Sequence, residues 1–258
     1  MKLLIDAGNT RIKWALADGS EADGQTWLRS GTLPVERAGE LSHQFAGLQG
    51  IRQVWVSNVA GDEVAQHIRN ACAGQPAQPR FIVAQEAQCG VRNSYSSPPQ
   101  LGSDRWAALI AAWHLVRGTC LVVNSGTATT VDALSATGEF IGGLILPGVE
   151  LMQRSLRDAA VQLQAAQVKP EQGEYAPFPL NTADALYSGA LQASCGAIER
   201  QYTLLGDACL EPSRMGSAPV VLSGGAAAVL QGRLNAPLRI VDNLVLQGLL
   251  LIAQETNA

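Results

Sequence analysis

The stretch LLIDAGNTRIKWAL, residues 3–16, decides how the chain is read: an apolar run ends in Asp6, a turn with Gly8, Asn9 and Thr10 follows, and a second apolar run begins at Ile12. Apolar runs on either side of a glycine-containing turn predict a β-hairpin, with strands over 2–5 and 12–16. The hairpin itself has no need of a carboxylate at its tip. A phosphate-handling site does: glycine lets backbone approach the ligand, Asn9 and Thr10 donate hydrogen bonds, Lys13 adds positive charge, and Asp6 can hold the hydrated magnesium ion that screens phosphate charge. Turn-forming Asp, Gly and Asn also make a plain polar hairpin, so this stretch alone leaves both readings open.

Further along, the layout returns. CLVVNSGTATTVDAL at 120–134 is again an apolar strand, a glycine-containing polar turn and a second strand, and it places Asp6-Ala7-Gly8-Asn9 against Asn124-Ser125-Gly126-Thr127 at a separation of 118 positions. A third glycine turn, Ser223-Gly224-Gly225, lies between an apolar strand and a short helix, where backbone could closely approach an adenine or ribose. Two facing glycine-hydroxyl hairpins could clasp one polyphosphate. No GxxxxGK[ST] loop is present and no GxGxxG follows the first strand, which counts against the P-loop and dinucleotide-binding readings. Duplication at this spacing predicts two similar halves, 1–117 and 118–258. The layout resembles the duplicated actin-like ATPase and sugar-kinase superfold, ribonuclease H-like in each half, in which ATP is clasped in the cleft between the halves.

The pattern between the hairpins is α/β. A third strand is expected near 26–32, after the polar stretch at 18–24, then a helix over 36–48, a strand at 54–58, a helix over 62–73 and a strand at 80–84. Residues 85–101, rich in Gln, Ser and Pro, read as an irregular loop. A helix follows, with Ser103 as its expected N-cap, an apolar face of Trp106, Ala107, Leu109, Ile110 and Trp113, and a stop at Gly118. In the second half a strand is expected at 139–146, a helix to about 158, a loop to 179, a long helix over 182–210, strands at 220–225 and 238–242, and a closing helix.

Composition narrows the function classes. A chain of 258 residues can bury roughly 70–75% of its unfolded surface, and a formal net charge of −4 without any run of basic residues argues against a nucleic-acid partner. The opening MKLLIDAG is too short an apolar run for a secretion leader, and no apolar run reaches the roughly 18 residues that would cross a bilayer, so cytoplasmic residence without a membrane partner is expected. Cys72, Cys89, Cys120, Cys195 and Cys209 form no CxxC pair and are expected to be buried thiols. His43, His67 and His114 lack metal-ligand spacing and are expected to be ordinary helix residues.

A kinase also needs an acceptor for the substrate hydroxyl's proton. In LGSDRW at 101–106, Asp104 would sit in the first turn of a helix, whose dipole favours the ionised form that a general base requires, and Arg105 could pair with an anionic part of the substrate. Decoration of a helix N-terminus is an equally ordinary use of Asp, and the residues alone do not choose.

Taken together, DAGNTRIK at 6–13, GSDR at 102–105, SGTATTVD at 125–132, GGLILPG at 142–148, Asn181-Thr182, LSGG at 222–225 and LVLQGLL at 244–250 resemble the type III pantothenate kinases over nearly the whole chain. The resemblance implies ATP-dependent phosphorylation of pantothenate to 4'-phosphopantothenate, the first step of coenzyme A biosynthesis. It implies a first phosphate loop of Asp6, Ala7, Gly8, Asn9, Thr10, Arg11, Ile12 and Lys13 with Asp6 placing Mg2+, a second at Gly126 and Thr127, and Gly224 and Gly225 at the nucleotide. Asp104 would be the proton acceptor. Tyr95, Gly102, Ser103, Asp104, Arg105 and Thr182 would line the pantothenate pocket, Thr182 coming from the partner subunit of a homodimer. Many family members carry an aspartate at the start of the second loop that binds K+ or NH4+; this chain has Asn124 there, which puts the monovalent cation in doubt. Two other readings are a binding or regulatory protein that keeps the clasp without transfer, against which Asp6, Asp104 and Arg105 speak, and a kinase or phosphatase of the same superfold acting on a sugar or polyphosphate.

Overall fold

The opening hairpin forms where its residues predict it. In the computed structural model, which describes residues 1–18, 27–160, 173–209 and 217–256, β1 (Lys2–Ala7) and β2 (Arg11–Ala17) pair antiparallel with Leu3 opposite Leu16 and Ile5 opposite Trp14. The chain divides into two compact units: 1–117 with 138–140 and 243–258, and 118–137 with 141–242.

In the first unit the sheet order is β3-β2-β1-β4-β5, completed by β3 (Arg29–Pro34), β4 (Gln53–Asn58) and β5 (Pro79–Phe81), with β4 parallel to β1 and β5 parallel to β4. Side chains alternate across a strand. Leu3, Ile5 and Ala7 of β1 and Val54 and Val56 of β4 therefore share one face, where they pack with Phe45 of α1 (Leu41–Phe45) and Ile68 of α2 (Asp62–Cys72). Asp6 and Ser57 fall on the other face. The helix expected over 36–48 is shorter than its pattern suggested: a 3-10 turn occupies Val35–Glu40, where Arg37 leaves helical geometry, and α1 stops before Gly47 at φ 79°. The stretch 85–101, expected to be irregular, contains two short antiparallel strands, β6 (Ala87–Gln88) and β7 (Val91–Asn93), and a 3-10 turn at Pro98–Gln100. After it comes α3 (Ser103–Val116), in which Ser103 and every residue from Arg105 to Ala112 are buried, as a helix apolar on all sides should be. It is capped by Arg117 in the left-handed conformation, φ 48°, one residue before the expected Gly118.

The second unit repeats the plan. Its sheet runs β10-β9-β8-β11-β12, built from β8 (Cys120–Ser125), β9 (Ala128–Leu134), β10 (Glu139–Pro147), β11 (Val220–Ser223) and β12 (Leu238–Ile240). As in the first unit, the central strand pairs antiparallel with the hairpin partner that follows it and parallel with the later strand, β8 with β9 and β11. The duplication visible in a few residues is thus a duplication of topology. Helices α4 (Val149–Ala159), α5 (Thr182–Cys209) and α6 (Ala227–Gln231) belong to this unit, and its core joins Leu121, Val123, Val220 and Leu222 with Leu191 and Ile198 of α5.

Two segments lie on the other side of the expected 117/118 division. Residues 139 and 140 pair in parallel with Arg92 and Asn93 of β7 and are counted with the first unit. The closing helix α7 (Leu244–Glu255), expected with the second half, also belongs to the first, because its apolar surface lies against α3, β1 and β4. Its far end is fastened there as well: Lys2 Nζ donates to the Ala253 carbonyl at 3.2 Å, and the Cys89 N–H donates to Glu255 Oε1 at 2.9 Å.

All three histidines lie in helices, as expected, and Cys72, Cys120 and Cys195 are buried, whereas Cys89 and Cys209 are half-buried. Among the described residues no helix is long and apolar enough to cross a membrane. Residues 19–24 of the polar stretch, Thr26 of the expected third strand, most of the 160–180 loop and the last residue of the expected long helix lie outside the described residues.

Packing of α7 on α3 is close enough to exclude a side chain: a Cβ on Gly248 would overlap the carbonyl oxygen of Ala107. Helix propensity alone would make Gly248→Ala stabilising by roughly 0.5–1 kcal/mol. Overpacking should reverse the sign, and the variant is expected to lose about 1–3 kcal/mol. Urea denaturation of the two proteins measures this, and a stabilised variant would show that the two helices are not held at this distance.

Candidate active site

At the carboxyl end of β1 the pleat turns Asp6 away from the apolar core, opposite Lys13 on β2 and beside Ser57 on β4. The turn that follows is closed by the Gly8 N–H donating to the Arg11 carbonyl at 3.1 Å, and it leaves Asn9, Thr10 and Arg11 exposed while Ala7 and Ile12 are buried beneath it. Asp6 is half-buried. Its pKa is pushed up to about 7, first by burial and second by the negative charge of Asp104, while Lys13 pulls in the opposite direction. Two carboxylates of the first unit therefore sit near enough to repel each other.

Asp104 is brought there by the start of α3. The cap position is Gly102, in extended geometry at φ −54° and ψ 139°, and a Cβ on it would fall 2.6 Å from Asp104 Oδ1. A side chain there would have to displace the carboxylate. Asp104 Oδ1 accepts from the Arg105 N–H at 2.8 Å, which orients the group at the positive end of the helix. Ser103, expected as the N-cap, is instead the first helical residue. Its hydroxyl makes no cap bond and meets the Ser57 hydroxyl at 2.9 Å in a buried contact, so it ties the helix to the end of β4.

Arg105 points into the unit and keeps only 5% of its surface exposed. Its Nη1 donates to the Tyr95 hydroxyl at 3.1 Å, and the guanidinium carbon lies 5.8 Å from the centre of the Tyr95 ring and 5.7 Å from that of Phe140. The two rings are themselves 5.3 Å apart. Tyr95 is positioned by its N–H donating to Asn93 Oδ1 at 3.1 Å, while Asn93 Nδ2 donates to the Pro98 carbonyl at 3.3 Å. A permanently charged, planar cation held this way suits a carboxylate. Tyr95, Gly102, Ser103, Asp104 and Arg105 are thus brought together in the first unit. Ser57 and Phe140 join them, and sequence reading missed both: one was an unremarkable strand residue, the other stood two positions before the noticed GGLILPG.

In the second unit, the equivalent hairpin turn is closed by the Gly126 N–H donating to the Ala128 carbonyl at 2.9 Å, and is braced by the fully buried pair Ser125 and Thr129, whose hydroxyls are 2.8 Å apart. Gly126 and Thr127 are exposed at its tip, and Asn124 is half-buried opposite Thr130. Two glycines back the turn. Gly148 N–H donates to the Thr127 carbonyl at 2.8 Å, and Gly224, at φ 99°, lies against the Ser125 backbone where any Cβ would overlap it. Gly225 beside it faces open space. Thr182 is exposed at the start of α5, whose first turn is fixed by Asn181: its Oδ1 accepts from the Asp184 N–H at 3.0 Å, and its Nδ2 donates to Asp184 Oδ2 at 2.6 Å. Thr182 therefore belongs to a different unit from Tyr95, Asp104 and Arg105.

Residues 2–203 match the family model described as type III pantothenate kinase. The chain belongs to the type III pantothenate kinase family. A type III pantothenate kinase from Nitrosospira multiformis is 48% identical over 256 residues, covering 99% of this chain and 92% of the relative, and one from Aromatoleum aromaticum is 46% identical with both chains fully covered. Solved structures extend the fold comparison. A Campylobacter jejuni structure named as a Baf family transcriptional activator has a TM-score of 0.60 at 20% identity, covering 99% of this chain and 100% of the other. A Sinorhizobium meliloti structure named as a 2-dehydro-3-deoxygalactonokinase has a TM-score of 0.56 at 15% identity, covering 99% of each. The duplicated sheets and these likenesses give the family member the actin-like ATPase and sugar-kinase fold expected from its sequence.

The raised pKa of Asp6 has a signed consequence. The folded state holds this proton more tightly than the unfolded one, so the group's contribution to stability is intact below its ordinary value of 3.8 and is lost as pH rises through about 7. In buffer free of metal and nucleotide, Asp6→Asn should gain stability relative to the parent as pH rises from about 4 to about 7. Urea midpoints across that range test it, and a difference that does not change with pH would contradict the raised pKa.

Proposed function

We propose that this protein transfers the γ-phosphoryl group of ATP to the terminal hydroxyl of pantothenate, producing 4'-phosphopantothenate and ADP. The observation that carries this reading is identity of 43–48% to type III pantothenate kinases over almost the full chain. The site residues supply roles that fit it. Asp104 takes the hydroxyl proton as the oxygen attacks the γ-phosphorus, the bond to the β-phosphate oxygen breaks, and ADP leaves without a covalent enzyme intermediate. Arg105, held by Tyr95 and stacked near Phe140, receives the carboxylate of pantothenate. Exposed backbone and side-chain donors of the turn at 8–13 and of Gly126 and Thr127 receive phosphate oxygens, and Gly224 and Gly225 lie against the nucleoside.

Mg2+ fits Asp6: a half-buried carboxylate beside a second negative charge gains from a divalent cation. Among the described residues no three His, Cys, Asp or Glu side chains cluster as a metal cage, which suits an ion whose other ligands are water and phosphate. When bound, the ion neutralises charge on the phosphates. Asn124 offers a neutral amide where many relatives have a carboxylate, so monovalent cations should bind weakly. A homodimer is the third element of the proposal, with Thr182 reaching the partner's pocket. It is supported by apolar side chains of the second unit left in water, Ile145 at 65% exposure, Phe178 at 88% and Leu180 at 99%, the last two just before Thr182.

Coupled ADP release with and without pantothenate is the direct test, and pantothenate-independent release would remove the assignment. Asp104→Asn should remain folded and lose roughly 10²-fold or more in kcat; near-normal turnover would show that another group accepts the proton. Turnover across a potassium series, in buffer free of sodium and ammonium, should change little, and strong activation would refute the role given to Asn124. Sedimentation at micromolar concentration should give a dimer that Leu180→Asp weakens together with pantothenate binding, whereas a monomeric active parent would contradict the shared pocket.

A further inference from the structure

Asp6 and Asp104 come from different elements, β1 and α3. One buried contact ties the start of α3 to the sheet beside Asp6. Ser57 is the register partner of Asp6 on the neighbouring parallel strand, on the same face of the sheet, and its hydroxyl lies 2.9 Å from that of Ser103, the residue before Asp104. Ser57 has no exposed surface and Ser103 has 9%, so water does not compete for the bond. Around it the geometry is rigid: the Val59 N–H donates to the Ala7 carbonyl at 3.0 Å, continuing the β1–β4 pairing, and the Trp106 N–H donates to the Gly102 carbonyl at 2.9 Å, setting the first turn of α3.

We propose that Ser57 is a positioning residue for phosphoryl transfer, which fastens the first turn of α3 to the end of β4 and so fixes the separation of Asp104 from Asp6. The inference rests on Asp104 being the proton acceptor. A base must lie within about 2.6–3.2 Å of the proton it takes, and misplacement by about 1 Å can cost of the order of 10²-fold in rate. The Ser57 hydroxyl is engaged with that of Ser103 and is not among the donors assigned to phosphate oxygens, so KM for ATP is not expected to depend on it. Its influence passes through Ser103, which makes the hydroxyl pair, rather than either hydroxyl alone, the functional unit.

The experiment is a double-mutant cycle of Ser57→Ala and Ser103→Ala, with kcat counted per folded site, KM for ATP and pantothenate measured separately, and Asp104→Asn as the reference. Ser57→Ala should lower kcat by about 10- to 100-fold with KM for ATP within about twofold. Added to Ser103→Ala it should cause no further fall in kcat, because the tether is already gone. Ser57→Thr, which keeps a hydroxyl on a strand position suited to threonine, should restore most of the rate. A purely structural role would instead reduce the folded fraction and leave kcat per folded site unchanged, and that result overturns the proposal. Should Ser57→Ala fail to fold, Ser103→Ala removes the same bond from the helix side, and normal kcat in that variant overturns it equally. Loss of activity in Asp104→Asn alongside normal Ser57→Ala would sink this inference alone, whereas an active Asp104→Asn would sink the underlying assignment of the base.

Discussion

The constraint on which the rest of the first unit depends is the approach of two carboxylates, Asp6 at the end of β1 and Asp104 in the first turn of α3. Their repulsion is unfavourable and is offset by the surrounding packing. The offset comes from several directions. The β1–β4 register places Ser57 beside Asp6, the Ser57–Ser103 contact secures the helix start, and α3 is buried from Ser103 and Arg105 through Ala112. Closing helix α7 lies against α3 so tightly that only glycine fits at position 248. A helix gripped on that many sides does not drift when its first turn carries an unfavourable charge.

The same hairpin is built twice, and comparing the copies separates scaffold from chemistry. Both turns close with a glycine N–H on a carbonyl beyond the turn, at 3.1 Å in the first and 2.9 Å in the second, and both central strands have an antiparallel partner on one side and a parallel one on the other. What differs is what surrounds the turn. In the second copy the carboxylate position is the amide of Asn124, and Gly148 and Gly224 back the loop without side chains. Exposed backbone at a glycine turn is therefore common to both copies, while a carboxylate at the end of the central strand is found only in the first.

Much of the duplicated fold was legible in the sequence because it rests on local signals: apolar runs around glycine turns, helical spacing in α3, and alternation of strands with helices. The candidate loops were legible for the same reason, since a turn and its donors are contiguous. Less was legible where distant segments meet. The strands β6 and β7 hide in a stretch whose Pro and Ser content reads as loop, and they form because β10 supplies a pairing edge at Glu139 and Phe140. Arg105 was noticed for its charge, but its fixing by Tyr95 and Phe140 joins residues 95, 105 and 140, which no periodicity connects.

Sequence alone determined the hairpin at the N-terminus, its echo at 120–134 and the α/β class, and it marked Asp6, Asp104 and Arg105 as candidates for the site, because each follows from residue type or from neighbours a few positions away. Only the tertiary structure decided that Ser103 serves as a tether rather than a cap, that Ser57 and Phe140 stand at the site, and that α7 completes the first unit rather than the second. Those outcomes turn on which surfaces bury each other. Burial is settled by the packing of strands and helices far apart in the chain, and the order of residues within any one element does not encode it.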